Sequence, residues 1–302
     1  MKEINTHTAI CFGEVLWDIL PAGIKPGGAP MNVAYHLQKL HKNPAIITRI
    51  GTDDSGQRLM NIFTEHGVCT DFFQVDDQYE TGKVYAQPNE HNEVVYDIVK
   101  PVAWDFIEWE DRFRDILADA SFFIFGSLAA RSATSRYTLF KLLEIAKTKV
   151  LDINLRAPHF NRRIVEELLQ KADFVKMNQA ELELITGWFS NYTTVEQRLK
   201  SIRDKFNISN LVVTMGGDGA FLYMKDKIYR HSGFKVAVAD TVGSGDAFLA
   251  GLLSCLYEDQ KPEDALEFAS GLGAFIATQS GGCPKYDIEK VSHLINHNNV
   301  NQ

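Results

Sequence analysis

The sequence predicts an α/β protein built on a mostly parallel sheet, and three observations carry that prediction. Short apolar runs with strand character recur along the chain: AICFGEV (9–15), AIITRI (45–50), SFFIFG (121–126), VLDIN (150–154), DFVKM (173–177) and LVVTM (211–215). Segments whose apolar residues repeat at helical spacing lie between them, and strands that alternate with helices pair in parallel through crossovers. With 302 residues, 45% of them hydrophobic, the chain can bury one large core, so a single domain over 1–302 is expected.

Taken in order, the first apolar run is expected to be a buried strand continued by Trp17 to Leu20. GIKPGGAP (23–30) is expected to turn the chain sharply. Pro30 suits the first position of the next helix, where no partner for its missing N–H is needed. Val33, Ala34, Leu37 and Leu40 place that helix over 30–41, and another runs over 56–66, ending near Gly67. Residues 82–99 break the rhythm: TGKVYAQ and EVVYDIV flank the polar turn PNEHN, an antiparallel hairpin with no helix between its strands. Residues 78–103, with about 15–26, are expected to form a small β lid that excludes water during a reaction; an ordinary surface hairpin is the competing reading. The alternation then resumes, with helices over 133–147, 162–171, 179–186 and 194–206 and the hairpin AFLYMKDKIYR (220–230) after LVVTM. Helices over 245–257 and 262–279 are expected to close the domain.

The charge balance narrows the function. Thirty-one Lys and Arg against 39 Asp and Glu leave a net charge of −8. With no basic footprint, nucleic acid and anionic membrane surfaces are not expected as partners, and any anionic ligand must be held locally. Cys11, Cys69, Cys255 and Cys283 form no CxxC pair and read as free thiols of a reducing compartment rather than zinc ligands or disulfides. No apolar run approaches membrane-spanning length, and a cytoplasmic location is expected.

The stretch with most chemistry is DTVGSGDAFLAG, Asp240 to Gly251. Gly243, Ser244 and Gly245 stand directly before an apolar run that reads as a buried helix, so they mark its mouth. There the first backbone N–H groups lack intrahelical partners and carry the positive end of the dipole. Asp246 follows at once. A carboxylate beside an anion-binding mouth suits a reaction in which a hydroxyl loses a proton and attacks a phosphoryl group whose charge the amides stabilise. An Asp in a first helical turn after a glycine turn is the competing reading.

Other polar residues follow strands whose carboxyl ends share one edge, where open parallel sheets bind ligands. After the first strand come Asp18 and Gly27–Gly28 with Asn32. Asn154 and Arg156 follow VLDI, Asn178 and Glu181 follow DFVKM, and Gly216, Gly217 and Gly219 follow LVVT. Gly28 lets backbone approach a ligand, while Asp18 and Asn32 can bond hydroxyls. Asn178 and Glu181, three apart at a helix start, could organise hydrated Mg²⁺ on a triphosphate, or form a capping box. Arg156 could clamp an anion or sit in a surface ion pair. GGDG lacks the third glycine of a dinucleotide fingerprint, since Leu222 stands there, and Lys83 after Gly82 is followed by Val84, so no Walker A loop exists. His41 and His91 read as solvated, and no HExxH occurs.

DTVGSGDAF resembles the C-terminal signature of the ribokinase-like (PfkB) carbohydrate kinases, GGAPMNVAYHL their N-terminal glycine motif and NQAEL their N-x-x-E element; the likeness runs from GEVLWDILP to TQSGG. GEVLWDILP, GGAPMNVA, FGSLA, DINLR and IVKPVAWDFI look most like fructokinases within that family. The resemblance implies a three-layer α/β/α fold with a small β lid. It makes Asp246 the catalytic base and the amides of Gly243, Ser244 and Gly245 the anion hole. Asp18, Gly28, Asn32 and Arg156 would contact sugar, Asn178 and Glu181 would organise Mg²⁺ and phosphate, and Thr214, Gly216 and Gly219 would line the ATP site. The family often holds a monovalent cation beside the anion hole, which puts Asp240 and Val242 close to K⁺. DINLR departs from the pattern, because many relatives carry proline where Ile153 stands.

The activity so implied is ATP-dependent phosphorylation of a hexose hydroxyl, the 6-hydroxyl of fructose. A 2-keto-3-deoxygluconate, ribose or nucleoside kinase is the nearest alternative, and a non-catalytic sugar or nucleotide sensor the alternative of another class. A sensor has no use for a base beside an anion hole. The strand edges of the lid could pair two copies of the chain in a homodimer.

Overall fold

The computed structural model describes residues 7–20, 23–88 and 94–300, and its backbone groups into two units. The first runs to Phe123 and takes in Ala129–Lys147; the second holds Ile124–Leu128 and the chain from Thr148 onward.

In the first unit β1 (Ala9–Phe12) is apolar and buried throughout. Trp17 to Leu20 do not continue it. They lie in β2 (Leu16–Leu20), which belongs to another sheet and pairs antiparallel with β3 (Gly23–Gly27), extended where a sharp turn was expected. Pro26 is accommodated because β3 is an edge strand, which need not donate every N–H. α1 (Ala29–Lys39) starts after Gly28 with Pro30 in its first turn.

β4 (Pro44–Gly51) pairs in parallel with β1. α2 (Asp54–Glu65) follows, capped by the Asp53 carboxylate, which accepts from Gly56 N at 2.8 Å. β5 (Phe73–Asp76), too short for its pattern to register in the sequence, pairs in parallel with β4. β6 (Gly82–Pro88) and β7 (Val94–Ile98) form the expected antiparallel pair; most of the PNEHN turn, with His91, lies outside the described residues. Because β6 also runs parallel to β2, a small sheet of order β3-β2-β6-β7 results.

After β7, the Arg131 guanidinium donates to both Asp105 oxygens (2.7 and 2.8 Å) and to Val99 O (2.7 Å), and lies 3.8 Å from the Trp104 ring centroid. Both charged side chains are 1% exposed, so the pair is fixed by its hydrogen bonds and by the ring beneath it. α3 (Arg112–Asp119) precedes β8 (Phe122–Gly126), the strand at which the units divide, and α4 (Ala133–Leu143) returns to the first unit.

The second unit alternates regularly: β9 (Lys149–Asp152), α5 (Arg162–Lys171), β10 (Phe174–Asn178), α6 (Gln179–Gly187), α7 (Val195–Phe206) and β11 (Asn210–Thr214). β9, β10 and β11 pair in parallel, so their carboxyl ends share one edge. β12 (Ala220–Met224) and β13 (Lys227–His231) extend this sheet antiparallel. α8 (Ser244–Tyr257) and α9 (Pro262–Ala277) pack closely, with Gly251 of α8 against Ala269. They do not close the unit as expected. α10 (Ile288–Val300) follows and packs on α9, and a Cβ on Gly271 would come within 2.4 Å of the Ile295 side chain. Its sequence, rich in Asn and His, gives only a weak apolar period.

The core matches the apolar runs. Ile10, Ile46, Val150, Leu151, Val175, Val212 and Leu249 are all 0% exposed. None of the four cysteines is in a disulfide, and Cys11 and Cys255 are buried. Among the described residues no helix is long and apolar enough to cross a membrane.

Candidate active site

The mouth of α8 is built from backbone. Gly243 caps the helix with φ 76, a left-handed conformation that glycine adopts without cost, and it packs so tightly on Gly282 that a Cβ would lie 2.4 Å from the Gly282 Cα. None of the described residues offers an acceptor to the amides of Gly243 or Gly245. The Ser244 amide is engaged, donating to Thr241 O at 3.3 Å, and its hydroxyl donates to Gly273 O of α9 at 2.8 Å. Ser244 thus fastens the mouth to the next helix, and the amides on either side of it are the ones open to an anion. Asp246 sits in the first turn, 9% exposed. Behind the mouth, Asp240 accepts from Val242 N (3.0 Å) through one oxygen and from Gly281 N (2.9 Å) through the other, tying two loops together.

A charged cluster that the sequence reading did not anticipate lies beside it. Lys176, inside β10, is 7% exposed and donates to both oxygens of Asp152 on β9, at 2.8 and 3.0 Å. Its ammonium lies against the mouth of α8, for a Cβ on Gly245 would come within 2.9 Å of Nζ. Burial acts against the ammonium charge, yet the Asp152 carboxylate, and after it Asp246, hold its pKa above the ordinary lysine value. The available signal was a lone lysine in an otherwise apolar strand, since buried lysines almost always have an acidic partner. The sequence could not say which acid.

Asn178 and Glu181 form the capping box of α6. The Asn178 side chain accepts from Glu181 N and the Glu181 carboxylate from Asn178 N, both at 2.9 Å. The other Glu181 oxygen accepts from Leu155 N at 2.8 Å, joining α6 to the loop after β9. Burial, and then the neighbouring Asp152, push the Glu181 carboxyl above its usual range. Ile153 donates its N–H to Lys176 O at 3.0 Å. A proline at 153 could not make that bond, which ties the end of β9 to the strand that carries Lys176.

The remaining candidates fall into two groups. In the second unit, Thr214 ends β11 opposite Asn178, and Gly216 lies in an exposed turn with open space where a side chain would be. Gly219 is fixed by packing, because a Cβ there would meet His231 O at 1.9 Å. Arg156 is exposed and donates to Leu155 O; the surface ion pair weighed for it is absent among the described residues.

Asp18, Gly28 and Asn32 belong to the first unit. They do not simply follow the first strand: Asp18 is on β2, Gly28 caps α1 and Asn32 is buried in that helix. The Asp18 carboxylate lies over Gly27, where a Cβ would be 2.1 Å from its Oδ2.

Comparison with known proteins bears on the family and the fold. The pfkB family carbohydrate kinase profile matches residues 19–288. The fructokinase of Vibrio alginolyticus is 30% identical over 89% of this chain and 92% of its own, and fructokinase-1 of Oryza sativa subsp. japonica is 28% identical over 94% and 96%. The crystal structure of fructokinase from Vibrio cholerae O395, with fructose, ADP and calcium ion bound, superposes with a TM-score of 0.83 at 25% identity, covering 96% of this chain and 99% of that one. The fold is therefore the ribokinase-like one expected, a large, mostly parallel sheet with helices and a second small sheet.

Proposed function

The chain belongs to the pfkB family of carbohydrate kinases, and from that premise we propose that it transfers the γ-phosphoryl group of ATP to the 6-hydroxyl of fructose. It is a phosphotransferase acting on a sugar hydroxyl. The observation that carries the mechanism is the pairing of Asp246 with the open amides of Gly243 and Gly245 at the mouth of α8. Asp246 takes the proton as the sugar oxygen attacks the phosphorus in line, and the two amides take up charge on the transferring oxygens. The bond formed is from the sugar oxygen to phosphorus, and the bond broken is from phosphorus to the oxygen that leaves with ADP. Asp18, Gly28, Asn32 and Arg156 are assigned to the sugar, and Thr214, Gly216 and Gly219 to the nucleotide. For Gly219 the role is to shape the turn, given its contact with β13. The choice of fructose rests on relatives that are themselves fructokinases.

The donor set fits Mg²⁺ carried by the nucleotide rather than caged by protein. Among the described residues no cluster of three or more His, Cys, Asp or Glu side chains could hold a metal ion, and both Glu181 oxygens already accept backbone amides. Glu181 and Asn178 would therefore reach the ion through water, and Mg²⁺ when bound offsets the charge of the phosphates. Asp240 and Val242 offer carboxylate and backbone oxygens, a hard donor set that suits K⁺.

The four-stranded sheet is assigned as the lid and as the contact of a homodimer. Its edge strands β3 and β7 have no outer partner among the described residues and expose Ile24 (56%) and Tyr96 (53%). A cytoplasmic location completes the reading.

A coupled assay of ADP release across ketoses, aldoses, sugar acids and nucleosides tests the proposal. Fructose should give the highest kcat/KM, with fructose 6-phosphate as product. A higher value for 2-keto-3-deoxygluconate, ribose or a nucleoside would reassign the substrate. Binding of sugar and ATP without transfer would make the protein a sensor.

A further inference from the structure

The Asp152–Lys176 pair admits two roles. It could be a strut between β9 and β10, or it could hold a charge for the site. As a strut it is poorly placed. Replacing a buried ion pair with apolar residues of similar volume is often neutral or stabilising, so stability alone gives little reason to bury one.

Its surroundings favour the second role. The ammonium holds both oxygens of Asp152 on β9 and lies against α8 at Gly245, the residue before Asp246, while Glu181 of α6 bonds the loop that follows Asp152. Asp152 grips the cation directly, and the charges of Asp246 and Glu181 act on it from the neighbouring helices. Without Lys176 these carboxylates would repel one another, and would repel a phosphate brought to the mouth of α8. A Cβ on Gly245 would come within 2.9 Å of Nζ, so the absence of a side chain at 245 leaves room for the ammonium. The Ile153 N–H bond to Lys176 O fixes the backbone from which the lysine projects.

We propose that Lys176 is a positioning residue for phosphoryl transfer: braced by Asp152 and packed against Gly245, it supplies the fixed positive charge that holds Asp246 and the mouth of α8 ready for an incoming phosphate. The inference deepens the phosphotransferase reading and rests on it.

The test compares Lys176→Met and the double variant Lys176→Met/Asp152→Leu with the wild-type enzyme, measuring kcat, fructose KM and thermal midpoint. Lys176→Met should lower kcat by about 10²-fold, the size of losing one pre-organised charge-stabilising group, and leave fructose KM within about twofold. The double variant removes the stranded carboxylate along with its partner. It should recover the thermal midpoint while kcat stays low.

Recovery of kcat together with stability would make the pair a strut and overturn the proposal, as would wild-type kcat in Lys176→Met. If neither variant folds, Gly245→Ala decides, because it crowds Nζ while keeping both charges and the 245 amide. A folded Gly245→Ala enzyme with wild-type kcat also overturns the proposal. Wild-type protein that transfers no phosphoryl group to any sugar would instead remove the underlying reading.

Discussion

Gly243 and Gly245 stand two residues apart for different physical reasons, and their alanine variants should separate them. At 243 a Cβ meets the backbone of Gly282 at 2.4 Å in a left-handed conformation, and neither can yield cheaply. At 245 the obstacle is the end of the Lys176 side chain, which gives way without moving backbone but only by loosening its hold on Asp152. Gly243→Ala should therefore lower the thermal midpoint clearly, by the equivalent of about 1–3 kcal/mol, and Gly245→Ala should keep the fold but lose turnover. Equal melting temperatures for the two variants would contradict the account. The glycine run and Asp246 were legible in the sequence because their chemistry is local, one helix start. Lys176 was not, since its meaning depends on Asp152, 24 residues away and joined to it only by parallel pairing of β9 and β10.

At the level of elements, the cap of α2 carries a pH signature. Asp53 accepts from Gly56 N (2.8 Å) with one oxygen and from Thr81 N (2.7 Å) with the other, so it fastens the start of α2 to the entry of β6. Burial disfavours its charge, but the amide bonds from Thr81 and Gly56 outweigh burial and hold the carboxyl below its ordinary pKa. A carboxyl depressed in the folded state stabilises above its unfolded pKa, and that contribution fades as pH falls through the folded value. Asp53→Ala should cost about 1 kcal/mol near neutral pH, with the gap to wild type narrowing below about pH 4. Urea denaturation at both pH values checks this, and a gap that does not change with pH would contradict it.

Elements with strong periods, such as α5, α7 and β11, could be read from the sequence to within a residue or two. β2 and β3 could not, because Pro26 and three glycines between 23 and 28 read as a turn while edge pairing draws the same segment out as a strand. β5 is too short, and α10 too polar, to give a pattern.

For the whole molecule, the α/β class followed from alternation alone, but the division into two units at β8 left no trace in composition, since no linker marks it. The small sheet is where the assigned assembly can be checked. A dimer formed through β3 and β7 should run at about twice the 34.0 kDa chain mass in light scattering at working concentration. A monomer mass would remove that contact.

The claim on which the mechanism turns, that Asp246 is the base at an amide-lined mouth, is tested most directly by kcat of Asp246→Asn measured beside calorimetric fructose affinity. The account predicts a fall of about 10²- to 10⁴-fold in kcat, the usual worth of a positioned base, with fructose binding preserved. Turnover near that of the wild-type enzyme would contradict it.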